Sequence, residues 1–205
     1  MKIIEFHDIV NRYLFPNSTE LNKAWIDIQE SIALTDWPHG SGRFSIYPES
    51  GKKRGQGNGV KPIKIPCMKA LSSRGWLTEQ LPINQLGSSV LETGDLDAIK
   101  ITVEGFIAFE WETGNISSSH RAINKLLLAM QETNTLASFL VVPSNLLKRY
   151  LTDRIGNIGE LKPYFPLWQN IPKINGGFRI IVVEHDEESL SVPRIPKGTD
   201  GWAKG

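Results

Sequence analysis

The sequence predicts an α/β fold built on a mixed central β-sheet with helices on both faces, and three observations point to it. Helix-like and strand-like segments alternate along the chain. The segments Ser138–Val142 and Phe178–Val183 are almost continuously apolar, as strands covered on both faces are. Asp95–Val103 and Phe106–Glu112 read as two strands joined by a tight turn at Glu104-Gly105, the connection that antiparallel neighbours use.

The elements follow in order. Thr19–Ile32 reads as an amphipathic helix, because Leu21, Trp25, Ile28 and Ile32 recur at three- and four-residue steps and Ser18 or Thr19 can cap it. Gly40–Pro66 carries Gly51, Gly55, Gly57 and Gly59 among lysines and prolines. It is expected to be a long loop with short strands at Arg43–Tyr47 and Val60–Ile65; loops of that length in a compact domain are functional or disordered. After the two central strands, Ser117–Gln131 reads as a helix burying Ile123, Leu126, Leu127 and Met130. Strand Ser138–Val142, a helix Ser144–Leu151 capped by Ser144, and strand Phe178–Val183 complete the pattern. From Ser191 onward the prolines and glycines suggest a flexible C-terminal arm.

A chain of 205 residues with 40% hydrophobic content can bury roughly 70% of its unfolded surface, so one domain spanning residues 1–205 is expected. Cys67, the lone cysteine, excludes an internal disulfide and a cysteine-based zinc cluster, and its apolar surroundings suggest a buried small side chain. The opening Met1-Lys2-Ile3-Ile4-Glu5 meets acid where the apolar core of a signal peptide would continue. No apolar run approaches membrane-spanning length, and the cytoplasm is the expected compartment.

Net charge is +1, yet Gly40–Arg74 holds eight cations against the single acid Glu49. A near-neutral chain with one concentrated basic stretch fits an anionic partner held at one place, although a solvated surface loop fits the charge equally well.

The most informative segment is Phe106-Ile107-Ala108-Phe109-Glu110-Trp111-Glu112. Side chains alternate along a strand, so Ile107, Phe109 and Trp111 share one face while Ala108, Glu110 and Glu112 share the other. Two carboxylates therefore end an otherwise apolar strand. No cation lies close in sequence on that face, and buried carboxylates are costly without one; a bound metal is one remedy. A hairpin about Gly105 would bring Asp97 beside Glu110 and Glu112, and hard oxygen ligands in such a cluster suit Mg²⁺. The plainer alternative is a solvated strand end paired to Arg121 or Lys125.

The arrangement Asp97…Glu110-Trp111-Glu112 resembles the active-site motif of PD-(D/E)xK nucleases, and more closely that of the BamHI, BglII and BstYI group of type II restriction endonucleases. Further likenesses are Trp25-Ile26-Asp27-Ile28-Gln29-Glu30, Gly75-Trp76 with Leu81-Pro82-Ile83, Gly114-Asn115 before a helix, and Arg149-Tyr150-Leu151-Thr152-Asp153-Arg154-Ile155-Gly156-Asn157. Glu112 stands where most of the superfamily has Lys. The resemblance implies a restriction-endonuclease-like fold and Mg²⁺-dependent cleavage of double-stranded DNA at a specific, palindromic sequence by a homodimer. It implies that Asp97 and Glu110 hold Mg²⁺ with the Trp111 carbonyl, that Glu112 orients or deprotonates the attacking water, and that the products carry 5′-phosphates. A fourth acid, Glu30 or Glu92, is open.

Bringing phosphate to an acidic cluster requires offsetting cations. Lys52, Lys53 and Arg54 in the Gly-rich loop can reach phosphates or guanine edges, with the glycines allowing close backbone approach. By the same resemblance, Asn115, Ser117, His120 and Arg121, just after the acidic strand, are candidate DNA contacts; Asn115 can equally be a helix cap and His120 an exposed helix residue. Glu184-His185-Asp186-Glu187-Glu188 reads as a solvated strand end, and Tyr164–Trp168 as core packing. Two other functions share these features: a nuclease for branched or damaged DNA, and a non-catalytic DNA-binding module on a decayed nuclease scaffold.

Overall fold

A computed structural model describes residues 1–11, 18–53, 55–80, 94–152, 154–174 and 176–197. The main sheet contains β1 (Lys2–Asn11), β3 (Leu77–Gln80), β4 (Leu96–Ile101), β5 (Phe106–Trp111), β6 (Thr135–Pro143) and β7 (Gly177–Glu184). They lie in the order β1-β7-β6-β5-β4-β3. The central pairs β5/β6 and β6/β7 are parallel, while β1/β7, β4/β5 and β3/β4 are antiparallel. The sheet is mixed, as expected.

Its two faces explain its sequence. On one face Ile107, Phe109, Trp111, Phe139, Val141 and Ile181 pack against α1 (Thr19–Ala33) and α2 (Ile65–Ser73). On the other, Ala108, Leu140, Val142, Ile180 and Val182 pack against α3 (Ile116–Glu132) and the short helices α5 (Ile158–Leu161) and α6 (Phe165–Gln169). Strands β6 and β7 are buried on both sides and cannot alternate with polar residues. Arg179 is one of two charged exceptions within β7, with Glu184 at its end: it makes a two-pronged ion pair to Asp8 at 2.6 and 2.9 Å and lies over the Phe6 and Trp25 rings, which compensates its desolvation.

The expected caps are present. Ser18 accepts from Leu21 N–H at the start of α1, and Ser144 accepts from Leu146 and Leu147 N–H at the start of α4 (Asn145–Tyr150). Cys67 is fully buried, and desolvation, the main cause, pushes its thiol pKa far up, so it is inert packing.

Four expectations are corrected. Val60–Ile65 is a series of turns leading into α2, since Pro66 sits in the first helical turn where its missing N–H costs nothing. The residues from Ser191 to Lys197 are not a loose arm: Ile195 is buried, its N–H donates to Asn58 Oδ1 at 3.1 Å, and Trp37 Nε1 donates to the Pro193 carbonyl at 2.7 Å. Residues 198–205 lie outside the described part. Glu184 and His185 are buried rather than solvated. Burial raises the Glu184 pKa, but its contacts with His185 and the Ser144 hydroxyl outweigh that and leave it below the ordinary value. Asp186 receives the Met1 amino group at 2.9 Å, and β8 (Glu187–Glu188) pairs in parallel with β2 (Ser45–Ile46). Finally, Gly51 and Gly59 of the basic loop are pressed against other backbone segments rather than open to a ligand. A Cβ on Gly51 would lie 1.5 Å from the Leu151 carbonyl oxygen, and one on Gly59 would lie 1.9 Å from that of Pro196.

Candidate active site

Strands β4 and β5 form the expected hairpin, with Ile101 opposite Phe106 and Ala98 opposite Phe109. This register carries Asp97, at the start of β4, to the end of β5. Asp97 Oδ2 accepts from the Trp111 backbone N–H at 2.8 Å, and its negative charge is close enough to Glu110 to raise that group's pKa. Glu112 follows immediately, tied to β6 by its N–H to the Val141 carbonyl at 2.9 Å. Its Oε1 accepts from Gly114 N–H at 2.5 Å. A Cβ on Gly114 would lie 2.6 Å from that oxygen, so the bare glycine is what lets the carboxylate fold back against the turn.

All three acids line one cleft of about 330 Å³. Glu110 is 6% exposed. Desolvation is the main reason its pKa rises to about 7, Asp97 adds to the rise, and Lys125 opposes it. Glu112 is also raised, again by burial first and by Asp97, against the pull of Gly114 N–H, Lys64 and Arg121.

The cations that sequence proximity does not reveal come from two helices. Lys64, in the turn before α2, donates to Asp97 Oδ1 at 2.6 Å. Lys125 of α3 forms an ion pair with Glu110 Oε1 and donates to the Asp95 carbonyl at 2.6 Å. Lys125 is one of the two partners that the sequence offers for the acidic face, while nothing in the sequence points to Lys64; both ammonium groups arrive through tertiary packing, one from each face of the sheet. Asp95, Lys61 and Arg121 line the same cleft.

The remaining candidates divide. Asn115 is the N-cap of α3, accepting from Ser118 N–H at 3.0 Å. Ser117 is exposed one turn from the cleft, beside Arg121. His120 packs edge-on against Tyr164 with ring centroids 4.6 Å apart. Trp168 is buried beside them, whereas Tyr164 and Leu167 are exposed, so the core-packing reading of that aromatic run holds for Trp168 and not for Tyr164 or Leu167. Lys52 and Lys53 are exposed on the loop and do not line the cleft. Arg54, Glu92 and the Leu81-Pro82-Ile83 stretch lie outside the described residues. Glu30 does not contribute to the cleft; it is bound by Arg74 at 2.8 Å.

Among the described residues, no three acidic, histidine or cysteine side chains already stand as a closed metal cage. Asp97 and Glu110 nevertheless suit a hard divalent cation. They are adjacent carboxylates, each already drawn to an ammonium group, and Glu110 Oε1 is buried with a charge contact but no aligned hydrogen bond. Such oxygens call for positive charge.

Comparison with known proteins decides the lineage. The family described as restriction endonuclease BamHI matches residues 1–202. The chain belongs to the BamHI restriction endonuclease family. Within it, the type II restriction enzyme OkrAI of Oceanobacter kriegii is 44% identical over 177 residues, covering 86% of this chain and 87% of that one. The type II restriction enzyme BamHI of Bacillus amyloliquefaciens is 35% identical over 189 residues, covering 90% and 84%. The fold also matches restriction endonuclease BglII, solved in complex with a DNA 16-mer, with a TM-score of 0.60 at 11% identity, covering 91% of this chain and 79% of BglII. This member of the BamHI family is a type II, site-specific DNA endonuclease, a class that works with a divalent metal ion. Among the described residues no helix is long and apolar enough to cross a membrane.

Proposed function

We propose that the chain hydrolyses double-stranded DNA with Mg²⁺ inside a palindromic recognition sequence, acting as a homodimer and leaving 5′-phosphate and 3′-hydroxyl ends. The observation that supports this reading most is the gathering of Asp97, Glu110 and Glu112 in one cleft at the ends of β4 and β5.

Asp97 and Glu110, with the Trp111 carbonyl, would hold the Mg²⁺ ion. When bound, the ion neutralises charge on the scissile phosphate and makes a nearby water more acidic. Glu112 is the base: burial raises its affinity for protons above that of an ordinary carboxylate, and Gly114 N–H fixes one oxygen so that the other can face the water. The water oxygen forms a bond to phosphorus, its proton passes to Glu112, and the P–O3′ bond breaks opposite it. The leaving 3′ oxygen takes a proton from solvent.

Arg121 and Lys61 stand at the rim of the cleft, where they can bind flanking phosphates. Ser117 lies at the start of α3, in position for the groove, while Asn115 would act chiefly through its backbone turn because its side chain is engaged as a cap. Packing against Tyr164 gives His120 a positioning role for α3. Lys52, Lys53 and Arg54 are assigned to the phosphate backbone away from the cut. A palindromic site follows from two-fold protein symmetry matched to two-fold DNA symmetry.

The test is digestion of unmethylated genomic DNA in Mg²⁺, followed by sequencing of the fragment ends. One palindrome at every end, with ligatable 5′-phosphates, is expected. Ends without a shared sequence, or ends confined to branched or damaged substrates, would overturn the reading.

A further inference from the structure

Four carboxylates line one cleft, those of Asp95, Asp97, Glu110 and Glu112; they repel the phosphate that is to be cut, and the charges that offset this are not equivalent. Lys125 is 13% exposed and committed twice, to Glu110 and to the Asp95 carbonyl. Its geometry is that of a strut holding Glu110 against α3. Lys64 differs. Its side chain is 40% exposed, and it is held in the cleft by the single bond to Asp97 Oδ1. An ammonium group has three donors, so two remain for an incoming anion.

The position of Lys64 adds a second observation. A groove of about 340 Å³, running between α2 and β3, lies beside the acidic cleft, and Lys64 and Asp97 line both. The two hollows therefore meet at the Lys64 ammonium. In the second groove Lys69, Ser72 and Thr78 offer polar contacts along walls formed by Ile65 and Met68, and Glu79 adds a second carboxylate to that of Asp97, so phosphate can enter only on the side of Lys64 and Lys69. A strand that ran from one hollow to the other would pass the two residues they share, Lys64 and Asp97.

We propose that Lys64 is a catalytic residue, whose ammonium donates to a non-bridging oxygen of the scissile phosphate and holds it as the P–O bond to water forms. This rests on the reading of Asp97, Glu110 and Glu112 as the site of cleavage. Lys64 stays protonated throughout; no proton or electron leaves it. The water's proton still goes to Glu112, and the 3′ oxygen still leaves. What Lys64 supplies is charge aimed where it accumulates in the transition state, and the Asp97 contact keeps that charge aimed before DNA arrives.

The test compares wild type, Lys64→Gln and Lys64→Arg on a duplex carrying the mapped site. Single-turnover cleavage in Mg²⁺ is measured beside equilibrium DNA binding in EDTA. Lys64→Gln is expected to slow cleavage about 100-fold while binding weakens less than about threefold, and Lys64→Arg is expected to recover most of the rate. Binding is then repeated on duplexes with one neutral methylphosphonate, at the scissile position or two positions away. The scissile substitution should change wild-type and Lys64→Gln affinities by different factors, and the distant one by the same factor. An unchanged rate for Lys64→Gln overturns the proposal, as does a loss that lies wholly in affinity with no coupling at the scissile position. Glu110→Gln is run in parallel: if it is inactive and Lys64→Gln is not, this inference alone fails. If Glu110→Gln cleaves like wild type, the reading of the site fails and takes this inference with it.

Discussion

Asp97→Asn is expected to slow DNA cleavage at least a thousandfold, which corresponds to about 4 kcal/mol of transition-state stabilisation, while leaving the fold intact. The substitution is nearly isosteric, and its amide oxygen can still accept from Trp111 N–H, the bond that ties β4 to the end of β5. The negative charge is lost. Asp97 is coupled to both other acids of the cluster: it meets Lys64 at 2.6 Å, and its charge acts on Glu110 and on Glu112. In the variant the seat for a cation keeps the Glu110 carboxylate alone, and Lys64 loses the anion that aims it. Single-turnover rates, with unfolding curves to verify the fold, check this. A loss under tenfold would remove Asp97 from the site.

Glu110→Gln is expected to make the metal-free protein more stable at pH 8, by as much as about 3 kcal/mol before the lost Lys125 contact is deducted. Burial and Asp97 raise the folded-state pKa of Glu110 from 4.5 to about 7. Between those values the folded chain keeps the proton and the unfolded chain releases it, so stability falls as pH rises through this window. Below about pH 4.5 both states are protonated and the penalty vanishes; above about pH 7 it is fully present. Gln carries no charge to desolvate and escapes it. Thermal unfolding in EDTA at pH 5 and pH 8 reads the difference: about a quarter of the full effect at pH 5 and favouring Glu110→Gln in full at pH 8, by roughly 2–4 °C per kcal/mol for a chain of this size. A divalent cation should narrow the gap by stabilising wild type. A wild type that is the more stable at pH 8 without metal would show that Lys125 already compensates Glu110 in full.

How much of the molecule is legible in the sequence follows from the range of each interaction. Periodic patterns report α1, β4, β5 and α3, continuous apolar runs report β6 and β7, and the Ser144 cap reports α4, because their burial or capping is imposed locally. The Glu104-Gly105 turn sets the hairpin register, and with it the meeting of Asp97 and Glu110. Strand β1 escapes such a reading because Glu5, His7 and Asp8 break its pattern; its pairing with β7 is made across the length of the chain. Helix α2 reads as strand and loop because Pro66 signals either a break or a helix start. Lys64 lies 33 residues from Asp97, and nothing local to either residue announces their contact. The pinned stretch from Ser191 to Lys197 shows the same limit, since what holds it are Asn58 and Trp37.

In the proposed mechanism the Asp97–Glu110–Glu112 cleft cuts DNA with a bound divalent ion. The most direct test is cleavage of unmethylated DNA by wild type and Glu110→Gln, each in Mg²⁺ and in EDTA. Discrete fragments from wild type in Mg²⁺ alone, with Glu110→Gln still binding DNA but leaving it whole, are the predicted result. Cleavage by Glu110→Gln at the wild-type rate, or by wild type in EDTA, would contradict it.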